Sequence, residues 1–231
     1  MRTEAYDGWL VRLAGGGPKR ANSINVLDTS TLPLVHKIEH CERLFLEQGL
    51  APTFRLTRHE VDAGLDALLA ARGYVRQDES IVMTLVLDAC DAIDTPSAAC
   101  RLLAADAWLQ LLPRIDQGTP ERKRKHVELL RRLDLPALYG AVETRGEYLA
   151  MGLAVIDDGY AGLFDIATLP EFRRRGHARS LTIALLRGAK RQGAKSAYLQ
   201  AVAGNRAAVA LYASLGFAEC YRYWYRVRDT A

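Results

Sequence analysis

The segment from Leu163 to Ala178, LFDIATLPEFRRRGHA, combines the features of an anion-binding site. Its pattern predicts a strand, a proline turn, a basic loop and the start of a helix. Backbone N–H groups in a first helical turn have no partner within the helix, and the helix dipole is positive at that end. Gly176 lets a diphosphate come close to the backbone. Positive charge comes from three adjacent arginines, Arg173, Arg174 and Arg175. An ordinary strand-to-helix corner with a solvated basic loop is the alternative.

A second pair of polar residues, Asn205 and Tyr212, lies further along the chain. The two are seven residues apart, which is nearly two turns of a helix, so their side chains lie on one side and can face one ligand. Packing beside Leu211 and Leu215 is the alternative for Tyr212. For Asn205 the alternative is a helix N-cap, and both roles can hold at once.

Together these segments resemble the GNAT superfamily of N-acetyltransferases. Arg173-x-x-Gly176-x-Ala178 fits the pattern [QR]xxGx[GA] of its acetyl-CoA loop, with Thr168 where a valine is commoner. The second motif of the superfamily follows at the expected distance, as Asn205-x-x-Ala208-x-x-Leu211-Tyr212-x-x-Leu215-Gly216-Phe217. The resemblance covers about residues 80 to 231 and is closest from 160 to 217.

The resemblance implies an α/β (α+β) fold with a mixed, mostly antiparallel sheet flanked by helices. The sheet is expected to splay open between the strand before the loop and the strand Ser196–Val202. The implied cosubstrate is acetyl-CoA, with no metal. The residues expected to hold acetyl-CoA are Ala167, Thr168, Arg173, Arg174, Arg175, Gly176, His177, Ala178 and Asn205. For His177 a plain surface position is the other interpretation.

In the implied reaction a neutral primary amine attacks the thioester directly, and a backbone N–H near Thr168 stabilises the oxyanion. Tyr212 is protonated at neutral pH and hands a proton to the departing thiolate. An amine with a pKa of about 10 must first lose a proton, for which a carboxylate is the usual base. Asp165 is the candidate, and a strand aspartate bound to a neighbouring loop is the alternative; Glu147 and Asp157 also stay open.

Two parts of the chain share a β-α-β-α-β order of predicted elements. In the first part these are Asn22–Leu27, Pro33–Gln48, Thr53–Thr57, a helix around Glu60–Arg72, and Ser80–Leu87. In the second they are Gly162–Ala167, Gly176–Gln192, Ser196–Val202, Asn205–Leu215 and Glu219–Arg228. A strand at Gly8–Ala14 precedes the first set. The second set follows a connection over residues 88 to 105, two helices at Ala105–Leu112 and Glu121–Leu133, and two strands at Ala137–Thr144 and Tyr148–Ile156. These two strands and Gly162–Ala167 are expected to form an antiparallel meander.

Short stretches also match between the two parts. LLAARGY at 68–74 resembles LYASLGF at 211–217, and Gln48-Gly49 resembles Gln192-Gly193 at an offset of 144 residues. Upstream, Thr31-Leu32-Pro33 matches Thr168-Leu169-Pro170 at an offset of 137, so the first copy is seven residues shorter where the second carries its basic loop. We therefore expect a degenerate acetyltransferase-like half at 1–79 and a catalytic domain at 80–231. Chance similarity of helix ends is the alternative.

Composition limits the function classes. With 49% hydrophobic and 25% charged residues the chain is typical of a globular protein, and its net charge of +4 is too small to indicate nucleic-acid binding. The basic run Glu121–Arg132 has interleaved apolar residues and reads as an amphipathic helix rather than a nucleic-acid patch. The cysteines Cys41, Cys90, Cys100 and Cys220 show no paired spacing, which argues against disulfides and zinc and favours the cytoplasm.

No apolar run is long enough for a membrane span, and the N-terminus has no apolar signal region. The expected partner is therefore an amine-bearing acceptor, a small molecule or a peptide, with no nucleic acid and no membrane, and a homodimer stays open. A protein that binds acetyl-CoA as a sensor or scaffold without turnover is the competing hypothesis. Retention of Tyr212 favours the enzyme, whereas the lack of an unambiguous base keeps the alternative open.

Overall fold

The structure is a computed structural model that describes residues 2–58, 62–88, 98–115 and 118–228. Cys90, Glu60 at the predicted start of a helix, and half of the predicted connection over 88 to 105 lie outside these residues. The chain forms two compact units, and neither is continuous in sequence. The first contains the chain up to Ile81, Val202–Gly204 and the chain from Tyr221 onward; the second contains Val82–Ala201 and Asn205–Cys220. The assignment of a degenerate half to 1–79 and a catalytic domain to 80–231 stays a prediction.

The first unit is built from a sheet and two helices. Its elements are β1 (Arg2–Tyr6), β2 (Trp9–Leu13), β3 (Ser23–Val26), α1 (Leu34–Leu46), β4 (Thr53–Thr57), α2 (Leu65–Ala71), the first part of β5 (Val75–Val86) and most of β11 (Ala218–Val227). The strands lie in the order β1-β2-β3-β4-β11-β5. The core between the sheet and the two helices includes Trp9, Phe45, Phe54 and Trp224.

The second unit has helices on both faces of its sheet. Its elements are the end of β5, β6 (Cys100–Leu103), α3 (Ala105–Ile115), α4 (Pro120–Leu130), β7 (Ala137–Thr144), β8 (Glu147–Asp157), β9 (Tyr160–Thr168), α5 (His177–Arg191), β10 (Ser196–Val202) and α6 (Arg206–Ser214). The strand order is β5-β10-β9-β8-β7-β6, with β6 to β9 antiparallel and β10 parallel to β9. The predicted antiparallel meander and the mixed, mostly antiparallel sheet are confirmed.

Helix α5 lies very close to the sheet of this unit because two strand residues lack side chains. A Cβ added at Gly140 would lie 2.9 Å from Leu181 Cδ1, and one at Gly152 would lie 3.2 Å from Leu181 Cδ2. The other face of the sheet packs against α3 through Trp108, whose Nε1 donates to the Gly140 carbonyl at 3.0 Å. The start of α5 is therefore held firmly relative to the end of β9.

The two copies predicted from the sequence have the same local architecture. In each, two parallel strands are joined by a helix, β3 and β4 through α1 and β9 and β10 through α5. The helices α2 and α6 end in the same way. Gly73 and Gly216 both have positive φ, and the next residue's N–H bonds the carbonyl of Leu69 in one copy and of Tyr212 in the other. Leu69 thus occupies the position of Tyr212.

Three strand predictions differ from the structure. The predicted strand Gly8–Ala14 is the second arm of a hairpin, because Asp7 and Gly8, with φ of 44° and 80°, form a two-residue turn back to β1. Strand β6 was missed because it is only four residues long, too short to show a clear alternation of polar and apolar residues. Strand β5 begins at Val75 rather than Ser80, since pairing in the sheet extends it through a polar stretch. Within the described residues, no helix combines the length and the apolar character needed to cross a membrane.

Candidate functional site

The second unit contains a cleft of about 690 Å³ at the junction of β9, α5 and α6. It collects residues that are far apart in sequence. The lining residues are Ile115 from α3, Ile166, Ala167 and Thr168 from β9, Phe172, Arg173, Arg174 and Gly176 from the loop, His177, Ala178 and Arg179 from α5, and Asn205, Ala207, Ala208, Leu211 and Tyr212 around α6. The predicted positions Ala167, Thr168, Arg173, Arg174, Gly176, His177, Ala178, Asn205 and Tyr212 therefore meet in one place.

The wall formed by β9 begins where that strand leaves its parallel neighbour. The described ladder with β10 joins Tyr160–Leu163 to Ser196–Leu199, and both strands then continue further. Just beyond the ladder, Asp165 has a φ of 51°, and the register against β8 shifts at the same place. This is a β-bulge, which re-aims the backbone that follows it. The cleft opens there, consistent with the expected splay between β9 and β10.

The floor of the cleft is the basic loop and the first turn of α5. Gly176 is the N-cap of α5 with a φ of 81°, and it provides no side chain to cap the first turn. The first turn also contains no acidic residue. The N–H groups of this turn are therefore left for a ligand, and the helix dipole adds a partial positive charge. Arg174, with a φ of 60°, contributes to the sharp path of the loop.

Two buried polar atoms in the cleft have no hydrogen-bond partner among the described residues: Thr168 Oγ1 and His177 Nδ1. Buried polar groups nearly always have a partner, so each such atom needs an explanation. Both side chains line the cleft, and a polar ligand placed there would satisfy them. His177 is half-buried, which differs from the surface interpretation of this residue.

The three arginines of the loop have different surroundings. Arg173 donates from Nε to the Thr168 carbonyl at 3.3 Å, which ties the loop to the end of β9. Arg174 lines the cleft directly. Arg175 instead places its guanidinium 5.4 Å from the centre of the Phe172 ring, and it is not one of the residues lining the cleft in the described part of the chain.

Tyr212 is buried and packed, yet it lines the cleft. Its ring makes an edge contact with Phe217 at 5.9 Å between centroids, and its side chain is 7% exposed. Burial raises the pKa of its hydroxyl to about 12. Asn205 caps α6, with Oδ1 accepting from the Ala208 N–H at 3.2 Å. Both residues thus serve local structure and reach the cleft at the same time.

The candidate bases lie away from the lining. Asp165 faces α4, where its Oδ2 lies 3.3 Å from Nε2 of His126. Glu147 and Asp157 are exposed at opposite ends of β8. None of the three lines the cleft in the described part of the structure. Sequence reasoning did not find His126, nor the lining residues Ile115, Phe172 and Arg179; Arg179 follows Gly176 by three residues, the spacing that puts it on the same first turn.

The matching place in the first unit is closed by the chain's own side chains. Asp7 accepts hydrogen bonds from the Thr31 hydroxyl at 2.6 Å and from the N–H of Leu32 at 2.9 Å. These contacts, the Thr31 hydroxyl first, hold the pKa of Asp7 far below its usual range. The ammonium group of Lys37, which is fully buried, lies 3.3 Å from the Asp7 carboxylate and 3.9 Å from the centre of the Trp9 ring. The hydroxyl of Thr168 has no partner among the described residues, whereas the hydroxyl of Thr31 donates to the carboxylate of Asp7.

Comparison with models of protein families assigns the chain to a family. A family model described as probable histone acetyltransferase Rv0428c, C-terminal, matches residues 1–226. The chain belongs to this acetyltransferase family. The acetyltransferase is similar to the uncharacterized N-acetyltransferase YobR of Bacillus subtilis, with 26% identity over 95% of this chain and 90% of the relative. It also resembles the ribosomal protein bS18-alanine N-acetyltransferase of Salmonella typhimurium, with 43% identity over 30% of this chain and 46% of that protein.

Solved structures show the same fold. A GCN5-related N-acetyltransferase from Kribbella flavida has a TM-score of 0.73 at 14% identity and covers 100% of this chain and 90% of its own. A functionally unknown conserved protein from Staphylococcus epidermidis has a TM-score of 0.77 at 12% identity, covering 99% and 93%. A tandem GNAT protein from the clavulanic acid biosynthesis pathway reaches 0.62 at 16% identity, covering 83% and 69%. The protein is an N-acetyltransferase with the fold of GNAT proteins, as its two motifs predicted.

Proposed function

We propose that the cleft of the second unit binds acetyl-CoA and that the enzyme transfers the acetyl group directly to a primary amine of a peptide or small molecule. The observation that supports this most is the meeting in one cleft of an uncapped helix N-terminus, two loop arginines, two unpartnered buried polar atoms and Tyr212. The cleft volume of about 690 Å³ lies within the usual range for sites that hold small molecules.

The residues present fit a diphosphate-bearing ligand. The first turn of α5, from Gly176 to Arg179, offers N–H groups with no side-chain cap. Arg173 and Arg174 add charge, and His177 Nδ1 can bond a phosphate oxygen. Asn205 Oδ1 is occupied by the Ala208 N–H, so its amide nitrogen is the group that a ligand would meet. Arg175, stacked on Phe172, contributes charge at longer range.

Acetyl-CoA supplies an acyl group activated as a thioester, and the acyl end belongs near the end of β9. Leu169 donates its N–H to the Leu149 carbonyl of β8, and N–H groups alternate in direction along a strand, so the N–H of Thr168 points away from β8. We assign to this N–H, which follows the bulge at Asp165 beyond the ladder with β10, the stabilisation of the negative charge that develops on the carbonyl oxygen. Thr168 Oγ1 is a further donor at the same place.

We assign Tyr212 to the sulfur of the departing thiolate. The burial of its hydroxyl determines whether it transfers a proton or only donates a hydrogen bond. Its pKa of about 12 keeps the hydroxyl protonated throughout the neutral range. Thiols ionise near pKa 8.5, so complete proton transfer from Tyr212 to a free thiolate would be uphill by about 5 kcal/mol. The hydroxyl therefore stabilises the sulfur mainly by donating a hydrogen bond as negative charge develops there.

The ammonium form of the acceptor must lose a proton before it attacks. Asp165, the candidate base, lies beside a second titratable group, with its Oδ2 3.3 Å from Nε2 of His126. Because Asp165 does not line the cleft in the described part of the chain, a role for it as base requires water between the carboxylate and the amine. Glu147 and Asp157 are exposed at the two ends of β8, and neither lines the cleft in the described part of the chain.

The acceptor class is narrowed by the names of the relatives. One relative is named for acetylation of alanine on a ribosomal protein, and the family description names histone as substrate. Both are protein amines. Peptides with free N-termini and lysine side chains are therefore the first acceptors to test for this chain, with polyamines, aminoglycosides and amino acids as the small-molecule set.

The test combines binding and turnover. Labelled acetyl-CoA is mixed with the enzyme and each acceptor of the panel, and transfer is followed together with thiol release. The double variant Arg173→Glu with Gly176→Glu is the negative control, because it places charge and bulk in the proposed diphosphate site. Transfer by the wild type and none by the variant supports the proposal. Tight CoA binding with no transfer to any amine, or equal transfer by the variant, contradicts it.

A further inference from the structure

The first unit carries a cluster of aromatic and basic side chains on the sheet face turned away from α1 and α2. In the register of β4 and β11, Arg55 lies opposite Tyr225 and Thr57 lies opposite Tyr223. Side chains alternate between the faces of a strand. The neighbours Phe54, Leu56 and Trp224 belong to the core beneath the two helices, so Arg55 and Tyr225 point to the other face.

Arg55 is a half-buried cation that forms no ion pair with an acidic side chain among the described residues. Its guanidinium lies 4.0 Å from the centre of the Tyr223 ring, and Nη2 donates to the Tyr221 hydroxyl at 3.3 Å. Its Nε is buried and has no hydrogen-bond partner, and no carboxylate of the described residues forms an ion pair with it. A partly buried charge is costly unless it is paired, so this guanidinium is poised for an anion.

Tyr225 presents a second buried polar group beside Arg55. It is 3% exposed, its hydroxyl has no hydrogen bond of normal geometry to any described residue, and the neighbouring Tyr223 interacts with it. Burial first, and then Tyr223, raise the pKa of Tyr225 by more than Arg55 and Arg20 lower it, so the hydroxyl stays protonated and can donate. Lys19 lies 5.7 Å from the centre of the Tyr225 ring and adds positive charge, part of which Asp78 offsets at 2.8 Å.

We propose that Arg55 and Tyr225 form a binding site for a small oxyanion, a carboxylate or a phosphate group. Arg55 Nε and the Tyr225 hydroxyl would donate to its oxygens, a pairing in which hydrogen bonds to a charged acceptor are stronger than neutral ones. All residues of this site belong to the first unit, whereas the acetyl-CoA cleft lies in the second. The site is therefore independent of the proposed catalysis.

Arg76 offers a matched control within the same unit. Its guanidinium also stacks on an aromatic ring, 4.2 Å from the centre of Trp224, but its Nη2 is paired with Glu79 at 3.1 Å. Arg76 thus has the same charge and a similar ring contact, with its charge already satisfied. If Arg55 binds an anion because no carboxylate among the described residues pairs with it, then replacing the paired Arg76 should leave anion binding unchanged.

The experiment measures thermal unfolding of the full chain with increasing inorganic phosphate or succinate, against sodium chloride at equal ionic strength. The Gly176→Glu variant serves as the common background, so that anions bound in the cleft of the second unit contribute little. We expect saturable stabilisation by at least one of the two anions, since a ligand of the folded state raises the melting temperature. Phosphate and succinate arms show which oxyanion the site prefers.

In that background, Arg55→Gln should abolish the anion-specific stabilisation, and Tyr225→Phe should weaken the apparent affinity about 10-fold, the loss expected for one hydrogen bond to a charged group. Arg76→Gln should leave it unchanged. Stabilisation equal to that in chloride, or equal effects of Arg55→Gln and Arg76→Gln, overturns the site. If Arg55→Gln does not fold, Tyr225→Phe decides, because it removes one oxygen and unchanged affinity would contradict the proposal.

Discussion

At the scale of residues, two threonines in matching sequence positions have opposite hydrogen-bond situations. Thr31 donates its hydroxyl to Asp7 at 2.6 Å, and the charge of Asp7 is balanced by buried Lys37. Thr168 has a buried hydroxyl with no partner among the described residues. A ligand with oxygen atoms can therefore accept a hydrogen bond from the hydroxyl of Thr168. At Thr31 the same ligand would first have to displace the carboxylate of Asp7.

The first prediction concerns the hydroxyl of Tyr212. In Tyr212→Phe, kcat should fall about 10- to 100-fold, because the lost interaction is a hydrogen bond of roughly 1.5–3 kcal/mol to a developing charge. The ring stays packed against Phe217, so melting temperature and CoA affinity should change little. Since the pKa of Tyr212 is about 12, the ratio of wild-type to variant kcat should be constant from pH 6 to 10.

A ratio that falls with a midpoint near pH 9 would instead mean that the hydroxyl ionises in the assayed range. Equal rates of the two proteins would assign Tyr212 to packing alone. Ala213→Ser serves as a control, because Ala213 is exposed beside Tyr212 on the same helix and does not line the cleft in the described part of the chain.

The second prediction concerns Asp66, which accepts hydrogen bonds from Trp224 Nε1 and from two nitrogens of Arg226, all at 2.8 Å. The Arg226 contact, followed by that of Trp224, lowers the pKa of Asp66. A depressed folded-state pKa contributes stability that is fully present above the unfolded value and is lost as pH falls through the folded one. Asp66→Asn should therefore lower the free energy of unfolding by about 2 kcal/mol at pH 7, and the difference should shrink below about pH 4.

Urea unfolding of both proteins at pH 7, 4 and 3 measures this difference. Glu128→Gln is the control, because Glu128 forms an exposed pair with Arg124 on α4 and its removal should change stability by no more than about 0.5 kcal/mol. A difference for Asp66→Asn that stays constant as the pH falls would contradict the assignment.

At the scale of elements, the cleft is lined by the start of one helix and by one side of another, α5 and α6. The first turn of α5 has no side-chain cap and no acidic residue, which leaves its N–H groups available. Helix α6 is capped by Asn205 and ends at Gly216, so its position is fixed at both ends. The chain between β9 and α5 needs a left-handed residue at Gly176, which lets the loop turn directly into the helix.

The third prediction tests that helix start. Gly176→Glu should abolish measurable CoA binding, since it adds a side chain and a negative charge at the N-cap. Gly146→Glu is a matched control, because both glycines have a φ of 81° and therefore the same backbone strain, while Gly146 lies in the turn between β7 and β8. Calorimetric titration with CoA distinguishes the two. Loss of binding in both variants would attribute the effect to strain or global stability rather than to the loop.

At the scale of the whole molecule, the two copies share their elements but differ in what they can bind. The first copy lacks the seven residues of the basic loop, and Leu69 stands where the second copy has Tyr212. Its counterpart of the cleft is occupied by Asp7 and Lys37. Each chain therefore has the means to hold the cosubstrate in one copy.

The fourth prediction is that CoA binds once per chain. Isothermal titration should give a stoichiometry near one, and Gly176→Glu should reduce it to zero. A stoichiometry of two, or one that remains in the variant, would show that the first copy binds as well.

The fifth prediction concerns a protein truncated to residues 80–231. Strand β11 pairs with β4 in the first unit, and Trp224 of β11 is buried in that unit's core, so the truncated chain would lose one of the two strand neighbours of β11 and the core around Trp224. We expect it to lack a cooperative thermal transition and acetyl transfer. Adding a separately produced 1–79 segment should restore both in part. A stable, fully active truncated protein would make the first copy dispensable for both folding and the acceptor site.

Local sequence was sufficient for most elements and for most of the polar residues that line the cleft, although it did not reveal Arg179. The strands Thr53–Thr57, Ala137–Thr144 and Ser196–Val202 were predicted with the bounds that the structure shows, because alternation and turn residues are local signals. The loop from Arg173 to Ala178 and the pair Asn205 and Tyr212 could be read from spacing and resemblance. Their roles in binding and catalysis, the division into two domains and the cytoplasmic location stay predictions.

Only the tertiary structure decided which distant segments meet. No local pattern indicated that β11 would pair with β4, that Asp7 would occupy the first copy's anion position, or that Asp165 would face His126 rather than the cleft. Each depends on residues far apart in the chain, and their contact is set by the sheet order and by the packing of whole helices. A sequence determines local conformation through neighbours three or four residues away, whereas these contacts exist only once the strands have paired.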